Sequence, residues 1–140
     1  PGSDKMTSQC ALMQDGSLES ENGEYRFTMQ GDGNLVLYRG GDPLWASGTD
    51  GEYGAHCVFQ KDGHFLVYRC GEDGRVSTDP DDCVWKTDIY GDEGTFHGGW
   101  CCMQNDGNFV QYDRSGRPLW CTRTDGGQQG DRSGGIDRLI

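Results

Sequence analysis

Long apolar runs are absent from this 140-residue chain, basic side chains are few, and no stretch repeats its apolar residues at helical spacing. Without about 18 consecutive apolar residues no helix can span a bilayer. With 12 basic against 23 acidic residues the net charge is -11, which repels nucleic-acid phosphates and anionic lipid and leaves neutral or cationic partners. The opening residues lack the basic and apolar regions of a signal peptide. Neither a serine nucleophile elbow nor a phosphate-binding loop occurs, and the carboxylates fall largely in turns, where solvation is their ordinary state. Calcium is not expected, because the full twelve-position loop with its closing Glu is missing. Zinc is not expected either: His56, His97 and the cysteines show no finger-like spacing. The chain therefore reads as a non-enzyme without metal or other cofactor.

What is plentiful is glycine, at 24 residues, alongside 4 Trp, 6 Tyr and 5 Phe, a profile of short strands joined by tight turns. The length suits one domain over residues 1–140. Residues 1–9 read as a flexible lead-in, and residues 126–140 as a flexible tail with apolar Ile136, Leu139 and Ile140 near its end. Seven cysteines favour a secreted or extracellular setting with disulfides, while the missing signal peptide keeps the cytoplasm open. Their odd number leaves at least one thiol outside any internal pairing.

The chain repeats itself three times: Gln30-Gly-Asp-Gly-Asn-Leu-Val-Leu-Tyr38, Gln60-Lys-Asp-Gly-His-Phe-Leu-Val-Tyr68 and Gln104-Asn-Asp-Gly-Asn-Phe-Val-Gln-Tyr112. Each copy is preceded by a strand, at residues 25–30, 56–60 and 100–104, and joined to it through an Asp-Gly turn, which makes a β-hairpin. Each is followed by a tryptophan: Trp45, Trp85 and Trp120. A leading strand such as residues 16–19 completes an antiparallel sheet of about four strands. One such sheet cannot bury its apolar face, whereas three around a pseudo-threefold axis can, with the tryptophans at the centre. Phe27, Cys57 and Cys101 hold matching positions three residues before each glutamine, so the two cysteines read as buried filling.

The first two glutamines are 30 residues apart and the next two 44, so the middle unit carries 14 more. Tyr68 to Trp85 spans 17 residues against 7 from Tyr38 to Trp45, which puts 10 of the extra residues in the loop 70–83. A Cys70–Cys83 disulfide would close that loop at its base. Bridges involving Cys10, Cys102 or Cys121 stay open.

Along residues 30–38 the strand alternation puts Asn34, Val36 and Tyr38 on one face, with Gln30 and Asp32 at the hairpin mouth. Amides, a carboxylate, a phenol and a small apolar patch suit a pyranose, whose hydroxyls donate and accept and whose C–H groups want a flat contact. A glycosidase would need two carboxyls flanking one bond, and each copy supplies a single Asp.

The pattern Q-x-D-x-N-x-V-x-Y in a glycine-rich β chain resembles the bulb-type mannose-binding lectin family. The likeness extends to the lead-in at residues 18–25 and the trailing residues 43–49, and covers roughly residues 10–125. The resemblance implies an all-β fold, a β-prism II of three antiparallel four-stranded sheets, and partners that are mannose, high-mannose glycans and glycoproteins. It implies site 1 at Gln30, Asp32, Asn34, Val36 and Tyr38 and site 3 at Gln104, Asp106, Asn108, Val110 and Tyr112. In both, Asp and Asn read the axial 2-hydroxyl while Gln and Tyr hold the 3- and 4-hydroxyls. The middle copy, Gln60, Asp62, His64, Leu66 and Tyr68, departs from the pattern at His64 and Leu66, and its binding is in doubt. Relatives often dimerise by exchanging C-terminal strands, so the resemblance makes a homodimer one expectation for this chain. The alternative function is a protein-interaction or inhibitory scaffold that keeps the prism and binds through the acidic loop 72–82.

Overall fold

The computed structural model describes residues 3–71, 77, 79–87, 89 and 99–130. Two short strands, β1 (Lys5–Thr7) and β2 (Cys10–Leu12), come first. A contiguous sheet follows, in which β3 (Ser17–Glu19), β4 (Tyr25–Met29), β5 (Leu35–Arg39) and β6 (Asp42–Ala46) lie side by side in chain order. The second sheet contains β7 (His56–Phe59), β8 (Phe65–Tyr68) and β9 (Cys83–Lys86), with β2 against β7 as its fourth strand. The third contains β10 (Trp100–Met103), β11 (Phe109–Tyr112) and β12 (Pro118–Cys121), and β1 completes it. All pairings are antiparallel, which gives the expected three four-stranded sheets.

The lead-in is thus part of the fold, because Lys5 pairs with Cys102 and Thr7 with Trp100. The tail is also seated in part. Gly130 N–H donates to the Leu44 carbonyl at 2.7 Å, while residues 131–140, with Ile136, Leu139 and Ile140, lie outside the described residues. His97 and most of the acidic loop 72–82 lie outside them as well.

Each motif hairpin closes in the same way. Gln30 N–H donates to Asn34 C=O at 2.9 Å and Gly33 N–H to Gln30 C=O at 3.0 Å, and residues 60–64 and 104–108 repeat the pair. Gly33, Gly63 and Gly107 carry φ of 93°, 98° and 96°, left-handed values that favour glycine after the motif Asp. A bulge then falls immediately before each motif tyrosine, between Leu37 and Tyr38, Val67 and Tyr68, and Gln111 and Tyr112. Such a bulge re-aims the side chain that follows.

At the axis Trp45, Trp85 and Trp120 meet edge to face, with centroids 5.4, 5.8 and 5.6 Å apart. None of their indole N–H groups finds an oxygen or nitrogen acceptor among the described residues, so ring edges rest on neighbouring π faces. Phe27 stacks on Phe109 at 3.8 Å, in the layer where Cys57 and Cys101 stand for it in the other two sheets. The exchange balances volume: the first sheet has Phe27 together with Leu35 at the start of the motif strand, whereas the others have a cysteine together with Phe65 or Phe109 at those positions, all of them buried. Cys57 and Cys101 are fully buried, and desolvation pushes both thiols well above their ordinary pKa.

No disulfide joins any of the seven cysteines, which corrects the predicted Cys70–Cys83 bridge. The reason is register. Cys83 pairs across the ladder with Tyr68 and its thiol donates to Trp85 C=O at 3.3 Å. The loop base is closed by the backbone instead, Arg69 N–H donating to Asp82 C=O at 2.8 Å.

One polar residue sits in a slot that is apolar elsewhere. Gln111 takes the place of Leu37 and Val67 and is fully buried. Its Nε2 donates to Gly63 C=O at 2.7 Å and its Oε1 accepts from the Thr87 hydroxyl at 3.4 Å. In the other hairpins the matching glycine carbonyl is served by a threonine hydroxyl, Thr49 to Gly33 and Thr124 to Gly107. The middle sheet has Ile89 there, so the third sheet reaches across to supply the donor. Gln111→Leu is expected to lower stability by roughly 1–2 kcal/mol, because the lost bonds outweigh the apolar gain. Urea unfolding measures this, and adding Ile89→Thr should recover part of the loss.

Candidate functional site

Site 1 is assembled from the β4–β5 hairpin. Asp32 Oδ1 accepts the Asn34 N–H at 3.0 Å, a local turn bond that leaves the other carboxylate oxygen for a ligand. Asn34 Oδ1 accepts from Gly48 N–H at 3.0 Å, Thr49 N–H at 3.2 Å and the Ser47 hydroxyl at 3.3 Å. With its carbonyl so occupied, the Asn34 amide presents its NH2 as a donor. Gln30 Nε2 donates to the Tyr38 hydroxyl oxygen, which leaves Gln30 Oε1 as an acceptor and the Tyr38 O–H as a donor. Val36, 3% exposed, provides an apolar floor. Arg26, paired across the strands with Tyr38, holds its guanidinium 5.3 Å from that ring.

A hollow of about 300 Å3 lies here, bounded by Gln30, Asn34, Val36 and Tyr38, by residues 43–46 of β6, and by Gln129. Four of the five predicted residues therefore line one cavity. Asp32 does not line it, and joins the group through its bond to the Asn34 backbone.

Site 3 repeats the construction. Asp106 Oδ1 accepts Asn108 N–H at 2.9 Å, and Gln104 Nε2 donates to the Tyr112 hydroxyl oxygen. Asn108 Oδ1 accepts from Thr124 N–H at 3.3 Å and the Thr122 hydroxyl at 3.4 Å. Val110 is again the floor, and Trp100 stacks on Tyr112 at 5.2 Å where site 1 has Arg26.

The middle copy keeps the frame and changes two of the side chains set in it. Gln60 Nε2 donates to Tyr68 Oη at 2.6 Å and Asp62 Oδ1 accepts His64 N–H at 3.1 Å. His64 stands at the asparagine's position in the motif, its Nδ1 3.8 Å from Asp62 Oδ2, and the larger Leu66 stands at the valine's. Tyr68 is buried at 3% exposure under the stacked ring of His56, whereas Tyr38 and Tyr112 are half-buried. Desolvation pushes the Tyr68 phenol up.

Sequence reasoning missed the residues that orient the asparagines. Ser47 with Thr49 and Thr122 with Thr124 are hydroxyl pairs 2.7 Å apart behind the site; each second threonine gives its O–H to a glycine carbonyl, so the O–H of Ser47 or Thr122 is shared between that threonine and the asparagine. Their signal was present: a hydroxyl residue, a spacer and a threonine follow Trp45 and Trp120 at one fixed offset, and Ile89 breaks that pattern after Trp85. Among the described residues no group of three or more His, Cys, Asp or Glu is placed to hold a metal ion.

Three four-stranded sheets about one axis, with amides, carboxylates and phenols gathered on their hairpins, define a β-prism protein. No family model matches the chain. A mannose-specific lectin from Aloe arborescens is 36% identical over 104 residues, which are 73% of this chain and 82% of that protein. A monomeric monocot mannose-binding lectin from Gastrodia elata matches with a TM-score of 0.72 at 31% identity, over 88% of this chain and 99% of that one. The snowdrop (Galanthus nivalis) agglutinin, solved with methyl-α-D-mannoside, matches with a TM-score of 0.64 at 30% identity, over 86% and 96% of the two chains. The chain belongs to the bulb-type mannose-binding lectin family, whose proteins bind sugar without catalysis.

Proposed function

We propose that this chain binds mannose and mannose-containing glycans at sites 1 and 3, with the middle copy weakened. The observation that carries this reading is the identical wiring of two hairpins: in each, Gln Nε2 is spent on the tyrosine and Asn Oδ1 on the following loop. What remains free is an alternating set, with acceptors on Gln and Asp and donors on Asn and Tyr. Adjacent hydroxyls of one sugar both donate and accept, so each finds its complement, while a C–H face rests on Val36 or Val110. The asparagine and aspartate sit together at the turn, where an axial 2-hydroxyl can bridge them.

Each neutral hydrogen bond nets about 0.5–1.5 kcal/mol, so a shallow site making four or five should bind a monosaccharide with a Kd on the order of millimolar. Two sites on one chain raise the effective concentration for branched high-mannose glycans and the glycoproteins that carry them. Titration with methyl α-mannoside and methyl α-galactoside, followed by NMR, tests the reading. The mannoside should saturate in the millimolar range and shift resonances of residues 30–38 and 104–112, with the galactoside at least about tenfold weaker because its hydroxyls differ at the two centres being read. Equal responses to both sugars, or shifts confined to other residues, would sink it.

A further inference from the structure

Site 1 has a wall that the repeat does not supply. Beyond β12 the chain turns back, so that Gly130 N–H donates to Leu44 C=O at 2.7 Å and Gln129 Nε2 donates to Pro43 C=O at 3.0 Å, both on edge strand β6. The seating is close. A Cβ on Gly130 would stand 2.3 Å from the Thr122 carbonyl oxygen and 3.2 Å from Trp45 Cδ1, so only glycine passes there. The segment carries Gln129 to the hollow of about 300 Å3 that Gln30, Asn34, Val36 and Tyr38 also line. With Nε2 committed to Pro43, its Oε1 is left as an acceptor.

The placement of Gln129 says which part of a ligand it meets. The five motif side chains come from β5 and the hairpin before it, whereas Gln129 is anchored on β6, where Pro43 pairs with Tyr38. Its backbone lies beyond β6, about two strand spacings or roughly 10 Å from β5. We propose that Gln129 is a specificity-determining residue of site 1, accepting a hydroxyl hydrogen bond from the second ring of an oligosaccharide whose first ring is the mannose held by the motif. This role rests on the mannose reading of site 1.

The test uses the full chain carrying Asp106→Asn, so that site 3 is silent, titrated with methyl α-mannoside and with a methyl dimannoside. Gln129→Ala should weaken the dimannoside about fivefold, the worth of one hydrogen bond, and leave the methyl mannoside within about twofold. Gly130→Ala, which unseats the segment without touching the amide, should give the same selective loss. An equal effect of Gln129→Ala on both ligands, or none on either, overturns the assignment. A background protein that binds no methyl mannoside would instead remove the mannose reading of site 1, and the role of Gln129 with it.

Discussion

Asp32→Asn combined with Asp106→Asn should abolish measurable mannose binding while leaving the fold intact. The substitution separates the two jobs of the carboxylate. One oxygen accepts the backbone N–H two residues on, at 3.0 Å in site 1 and 2.9 Å in site 3, and an amide oxygen does that equally well. The other oxygen becomes an NH2 group, which meets a sugar hydroxyl with a donor beside the donor already offered by Asn34 or Asn108. Losing a charge-assisted bond costs roughly 1.5–3 kcal/mol, more than tenfold in Kd, from a starting point that is only millimolar. Asp62→Asn in the middle copy, where His64 and Leu66 replace the motif asparagine and valine, should change nothing. Calorimetric or NMR titration reads the loss, and circular dichroism the fold; mannose binding retained at full strength by the double variant would exclude both proposed sites.

The largest stability effect is expected at the axis. Trp120 is 1% exposed and meets Trp45 and Trp85 edge to face, so Trp120→Ala leaves a cavity that two rigid indoles cannot collapse into. A loss of about 3–5 kcal/mol follows from comparable core truncations, and it is a large part of the roughly 5–15 kcal/mol that holds a domain together. Thermal unfolding should move down by about 10–20 °C. Trp100→Ala is the control: that ring is only part-buried and stacks on Tyr112 away from the axis, so its removal should cost far less. Similar shifts for the two variants would deny the tryptophan trio its central role.

How much of this was legible beforehand depends on whether a feature repeats. The three hairpins and the matching Phe27, Cys57 and Cys101 recur at fixed offsets, and a tryptophan follows each motif at a spacing that varies with the loop between, so repetition made them readable without coordinates. Strand β1 offered no such handle. Its three residues bury one side chain, Met6, and its partner Trp100–Met103 lies far along the chain, so no periodicity marks it. Residues 126–130 have the composition of solvated chain, and what seats them is a glycine backbone and an amide, neither of which registers as apolar burial. The Cys70–Cys83 bridge failed for a related reason. Counting residues locates a loop, but a two-residue offset from the Tyr68–Cys83 pair decides whether thiols meet. Gln111 was visible as a mismatch within the repeat, yet its meaning needed Gly63 from another sheet.

The way β1 and β2 finish the last and middle sheets also governs the order in which the chain can assemble during synthesis. The first sheet is complete as soon as Asp42–Ala46 leaves the ribosome, but Cys10–Leu12 must wait for His56–Phe59, and Lys5–Thr7 for Trp100–Met103. Until then residues made before the first sheet stay unplaced after it has formed, and two open strand edges stand ready to recruit a neighbouring nascent chain. Losing residues 5–12 would leave the edges of β7 and β10 bare for good, so aggregation, rather than weaker sugar binding, would be the first symptom of their loss.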